Sequence, residues 1–171
     1  MSIQTYPDYS TSVLTKQPQI PAREQIITQY DVDQAWKDQI AAVDLWIDSG
    51  FDDAAQDEID QALAYAEFLQ EQFEDQCKRR VYNEDGTWYV IPKYAEAKIK
   101  KSLYQVEVLS SIVTNGFWAV QVRALPIDGW QPHPFTDPCD FPGLKGVKTQ
   151  RDTGSVPLEN IRVNGERLGV K

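Results

Sequence analysis

The sequence predicts an α+β chain, mainly α, built as a three-helix antiparallel core with β-hairpin insertions. An extended N-terminal arm is expected over residues 1–30 and an irregular or β arm over 126–171, leaving 31–125 as the core domain. Three observations carry this expectation. Apolar residues recur at helical spacing in three long segments between residues 31 and 114. Pro7, Pro18 and Pro21 interrupt the N-terminal end, and five prolines crowd residues 126–142. Asp85-Gly86 and Asn164-Gly165 sit between short β-prone runs, as hairpin turns do. The 171 residues are enough for one sizeable core.

Residues 1–30 hold single apolar side chains (Ile3, Tyr6, Tyr9, Val13, Leu14, Ile20) without a period, so they read as an arm that cannot pack on itself. The first helix is expected over 31–48. Asp31 is its N-cap with Gln34 three residues later, and Val32, Trp36, Ile40, Val43 and Ile47 share one face. Gly50 followed by Phe51 ends it as a glycine C-cap with a hydrophobic contact.

A second helix is expected from Asp52 or Asp53 to about Arg80, with Ala55, Ile59, Ala62, Leu63, Ala66, Leu69, Phe73 and Cys77 along one side. Acidic residues open it and Lys78, Arg79 and Arg80 close it, matching the helix dipole at both ends. Residues 80–91 then read as a hairpin around Asn83-Glu84-Asp85-Gly86. Pro92 opens a third helix reaching about Thr114, with Ala95, Ile99, Leu103, Val106, Leu109, Ile112 and Val113 inward and Asn115-Gly116 as its stop. Residues 117–125 read as a strand, and the five prolines after it leave an extended connection. Asn164-Gly165 closes the chain in a two-residue hairpin.

Charge is unevenly divided. Residues 1–77 carry 16 acids and 3 bases, and residues 78–171 carry 10 acids and 14 bases, within a net charge of −9. The bland reading is a solvated acidic face. The sharper reading sets one copy's acidic half against another copy's basic half, head to tail. No apolar stretch approaches the ~20 residues that span a bilayer, so no membrane span is expected. The first eight residues have neither a basic region nor an apolar run, so no secretory signal is expected. Two cysteines make no disulfide framework and suggest a reducing compartment.

Chemical motifs are sparse. His133, Asp137, Cys139 and Asp140 share one loop, but a structural zinc site wants four ligands in paired Cys/His spacing, and a polar surface loop explains them better. Cys139 with His133 is the one Cys–His pair, without an oxyanion turn around it, and Cys77 reads as core packing. Asp44, Asp48, Asp52 and Asp53 lack the spacing of a calcium loop. No glycine-rich phosphate loop occurs, and no carboxylate pair sits in a context that predicts a raised pKa. Neither cofactor nor metal is expected, and no catalytic residue is assigned.

Two groups are candidates for binding. Lys93, Lys98, Lys100 and Lys101 form a patch that could face phosphate or acid, including weak proximity to DNA, although a solvated surface explains it better. Trp130, Phe135, Phe141 and Leu144 lie in the proline-rich connection, where such apolar groups suggest a segment laid across a surface, its own or, by preference, a partner's.

The layout resembles that of head-to-tail connector (adaptor) proteins of tailed bacteriophages. The likeness rests on the helix around Trp36, the alanine-rich Ala62-Leu63-Ala64-Tyr65-Ala66, and Ile91-Pro92 opening a third Ala/Lys helix before a β-rich end. It covers about residues 31–125, and the chain after Leu125 departs from it. The resemblance implies a non-enzymatic ring of copies docked on a portal, with portal and tail proteins as partners, in a virion assembled in the host cytoplasm. The alternative is a small acidic module that inhibits a host nucleic-acid enzyme by presenting negative charge. A hydrolase using His133 and Cys139 ranks third.

Overall fold

The computed structural model describes residues 24–138, 143, 146 and 148–168. They form two compact units, one of them Glu24–Ile91 and the other within Pro92–Lys171.

In the first unit, helices α1 (Gln29–Asp48) and α2 (Asp53–Lys78) pack as a hairpin, followed by the paired strands β1 (Arg80–Tyr82) and β2 (Trp88–Val90). Ile27, Val32, Ala35, Ala66 and Leu69 form its core, with Trp36 and Phe73 against it. Helix α1 starts one turn before the expected cap. Thr28 is the N-cap, its hydroxyl accepting from the Asp31 amide while the Asp31 carboxylate accepts from the Thr28 amide, so Asp31 is the return half of the capping box. The end of α1 is a Schellman motif. The amide of Phe51 donates to the Trp46 carbonyl and that of Gly50 to Ile47, and the Phe51 ring meets Trp46 edge-on at 4.7 Å. Gly50 at φ +77° supplies the left-handed turn at little cost.

The base of the helical unit is polar and buried. Arg79 donates to Glu24 at 2.6 and 2.9 Å, to Asp75 at 2.9 Å and to the Ile91 carbonyl at 2.5 Å. Gln76 beside it accepts from the Ile27 amide and donates to the Gln25 carbonyl. Burial opposes the charge of Arg79, yet bonding to Glu24 and attraction from Glu24 and Asp75 hold its pKa above the ordinary arginine value. One guanidinium thus grips both the segment entering the unit and the residue leaving it.

The second unit corrects the expected fold class. In place of a third helix, residues 94–114 form β3 (Tyr94–Ile99) and β4 (Ser102–Thr114), joined at Lys100-Lys101 with Lys100 at φ +58°. Among the described residues neither a three-helix core nor a helical bundle forms; one unit holds a two-helix hairpin and the other a six-stranded antiparallel sheet. Ala95, Ala97 and Ile99, then Val106 and Val108, are buried in strict alternation. Such spacing serves a sheet face, whereas in a helix Ala97 would leave the Ala95–Ile99 stripe.

β5 (Phe117–Ala124) pairs with β4 across Asn115-Gly116, so that dipeptide is a hairpin turn and not a helix stop. β8 (Thr153–Pro157) pairs with β5, a 3₁₀ turn (Leu158–Asn160) follows, and β9 (Ile161–Val163) pairs with β3. The turn lies near both β3 and β5, so this connection crosses a face of the meander. β10 (Glu166–Arg167) returns on β9 across Asn164-Gly165, giving the sheet order β10-β9-β3-β4-β5-β8. A separate pair, β6 (Phe135–Pro138) with β7 (Lys148–Arg151), occupies part of the proline-rich region. Prolines are tolerated there because a two-stranded ribbon leaves one side of each strand without ladder bonds. Residues 153–163 are therefore not part of an arm: Val156 and Ile161 are buried in the sheet, because β8 and β9 pair with β5 and β3 and complete its core.

Candidate functional site

Of the lysine patch, Lys98, Lys100 and Lys101 come together at the β3–β4 turn, while Lys93 lies before β3, its carbonyl bonded to the Val108 amide, and is not part of the group. Alternation decides the direction: Ala97 and Ile99 point into the core, so Lys98 between them is exposed. Two residues that the sequence reading missed join it. On β9 Arg162 stands opposite Glu96 of β3, and on β10 Arg167 stands directly opposite Arg162. Lys98, Arg162 and Arg167 line a shallow cleft of about 160 Å³ with Glu159 and Asn160.

Like charges directly opposite on neighbouring strands are destabilising. Glu96 offsets part of that repulsion for Arg162, although its carboxylate also accepts from Gln105 at 3.2 Å. What remains is a cationic corner able to take carboxylate or phosphate oxygens by charge-assisted hydrogen bonds. Arg162 and Arg167 carried a signal in the sequence. A two-residue Asn164-Gly165 turn pairs residue 163 with 166, and so 162 with 167.

The aromatic docking group is divided. Trp130 is 62% exposed in a tight turn at Asp128-Gly129, closed by mutual backbone bonds with Ile127. The half-buried Phe135 packs over Gly154, its ring occupying the space where a Cβ would stand. Phe141 and Leu144 lie outside the described residues, as do Cys139 and Asp140 of the considered zinc loop. His133 is exposed, and Asp137 is ion-paired with Arg151. Among the described residues no three His, Cys, Asp or Glu side chains gather as a metal site. Asp52 caps α2 by accepting from the Ala54 amide, and Cys77 is half-buried on that helix. A second cleft, of about 470 Å³, lies between β6–β7 and β8, with Gln121, Thr136, Arg151 and Ser155 in its lining.

Charge follows the division into units. Glu24–Ile91 carries 17 acidic and 4 basic residues, whereas Pro92–Lys171 carries 8 acidic and 11 basic ones. Fold and site together define a two-unit chain with an acidic helical hairpin and a β unit bearing a cationic corner. It matches no protein-family model, no curated protein and no solved structure.

Proposed function

We propose that the protein is a non-enzymatic structural subunit of a multi-copy assembly. The observation that supports this most is the charge division, net −13 over Glu24–Ile91 against net +3 over Pro92–Lys171, with the boundary between them at Ile91–Pro92. Opposite potentials on separate units favour heterologous contacts between copies, which close into rings or extend as filaments. Sedimentation of the full chain at about 50 mM and about 500 mM salt tests this, since screening shortens electrostatic reach. Association at low salt that weakens at high salt is expected, and a monomer under both conditions refutes it.

A virion neck ring docked on a portal is the narrower form of the proposal. It rests on the sequence resemblance of the segments around Trp36 and Ala62–Ala66, and the strands at 94–114 remove the third support of that resemblance. Co-sedimentation with a portal ring tests it. The charge of the helical unit also favours a second reading, an acidic inhibitor of a host nucleic-acid enzyme. Salt-sensitive competition with DNA for such an enzyme would support that reading.

A further inference from the structure

Two exposed surfaces, one on each unit, are complementary in both apolarity and charge. On α1, Ile40 and Ile47 lie seven residues apart on one stripe, 58% and 52% exposed, and Phe51 in the following turn is 61% exposed. Asp44 stands four residues after Ile40 and three before Ile47, beside both on the helix surface, and Asp48 follows one turn later. This shoulder is apolar with an acidic border toward its C-terminal end, Lys37 lying one turn before Ile40 at the other. On the β unit, Leu103 is 49% exposed directly opposite Lys98, next to the Lys100-Lys101 turn and on the same sheet as Arg162 and Arg167. The corner is thus an apolar contact with a basic border.

We propose that the cationic corner of one copy docks on the α1 shoulder of the next, Leu103 meeting the Ile40–Ile47 stripe while the lysines and arginines face Asp44 and Asp48. The proposal rests on the assembly reading above and names its interface. Charge decides the pairing. Shoulder against shoulder sets aspartates face to face, and corner against corner does the same with cations, each at a cost in repulsion. Only the unlike pairing gains on both borders, and it is heterologous, so it leaves one free shoulder and one free corner at the ends of an open chain of copies and none in a closed ring.

A charge swap tests it in the full-length protein. The corner variant is Lys98→Glu/Lys101→Glu/Arg167→Glu and the shoulder variant is Asp44→Lys/Asp48→Lys, all at exposed positions. Circular dichroism checks that both keep the fold. At low salt each variant alone should associate about tenfold or more weakly than the parent. An equimolar mixture should regain association, with the two variants alternating, because the acidic corner of one then meets the basic shoulder of the other. If the parent associates and both variants do so equally well, the assembly reading stands and this interface is wrong. Variants that fail alone and are not restored by mixing also overturn it. A parent that stays monomeric up to about 100 µM overturns both readings, and if that monomer binds duplex DNA through a corner lost in the triple variant, the corner is a nucleic-acid site instead.

Discussion

Replacing Arg79 with methionine tests whether one buried guanidinium holds the entry and exit of the helical unit together. The substitution removes four hydrogen bonds, two to Glu24 and one each to Asp75 and the Ile91 carbonyl, from a residue with no exposed surface. The Ile91 carbonyl, on a residue that is itself fully buried, would lose this partner at about 1–3 kcal/mol. The carboxylates behave differently, because the side chains of Glu24 and Asp75 are 23% and 32% exposed and can regain some water. Their share therefore falls below the ~3–5 kcal/mol of breaking a fully buried pair. Together these give a loss of about 3 kcal/mol, which at a urea m-value near 1 kcal/mol/M lowers the midpoint by about 3 M. Both described helices lie in Glu24–Ile91, so ellipticity at 222 nm reads this unit. A triple variant, Arg79→Met/Glu24→Met/Asp75→Leu, should recover much of the loss, because removing the whole charged cluster costs less than orphaning half of it. A shift under about 0.5 kcal/mol for Arg79→Met, or a triple variant worse than the single one, would refute the reasoning.

Three further outcomes are expected. Gly154→Ala places a methyl where the Phe135 ring lies and should destabilise the β unit by about 1–3 kcal/mol, with Phe135→Ala in the same chain relieving the clash; a neutral Gly154→Ala by thermal unfolding contradicts this. Ile161→Ala empties a fully buried position on β9 and should cost about 2–5 kcal/mol, with hydrogen exchange at 161–167 rising first if β9–β10 is anchored mainly by that side chain. Hydrogen bonds from Thr28 hold the Asp31 pKa below the usual carboxylate range. A lowered carboxylate pKa stabilises the fold above the unfolded value and loses that contribution as pH falls through the folded one. The capping box should therefore weaken below about pH 4, and Asp31→Asn should flatten that part of the acid unfolding curve.

The anion-binding potential of the corner and the apolar character of the shoulder come from different chemistry. The corner is kept open to solvent by strand alternation, which turns Lys98 outward while Ala97 and Ile99 fill the core. On the shoulder, the α1–α2 core uses the Val32–Ala35 side of the helix and leaves the Ile40–Ile47 stripe more than half exposed. A two-helix hairpin has too little partner surface to cover an apolar arc of that width.

Local chemistry determined the helical hairpin and the tight turns from the sequence alone. Asp52 capping α2, the Gly50-Phe51 Schellman end of α1 and the Asn164-Gly165 turn are each set by residues within about one helical turn, so no distant partner was needed to read them. Residues 94–114 were different. Ala95, Ile99, Leu103 and Val106 fit a helical stripe as well as Ala95, Ala97 and Ile99 fit a strand, and the alanines and Pro92 tilt local propensity toward helix. Tertiary structure settled the choice, because β9 pairs with β3 and β5 with β4 to bury Ala97, Val106 and Val108 on one face. The same distinction runs through the site. That Arg162 faces Arg167 follows from one short turn, but that both join Lys98 required β9 to cross from beside β5 to the far edge of β3. That crossing is made by sheet hydrogen bonds between segments about sixty residues apart, and such pairing leaves no periodic trace in either segment.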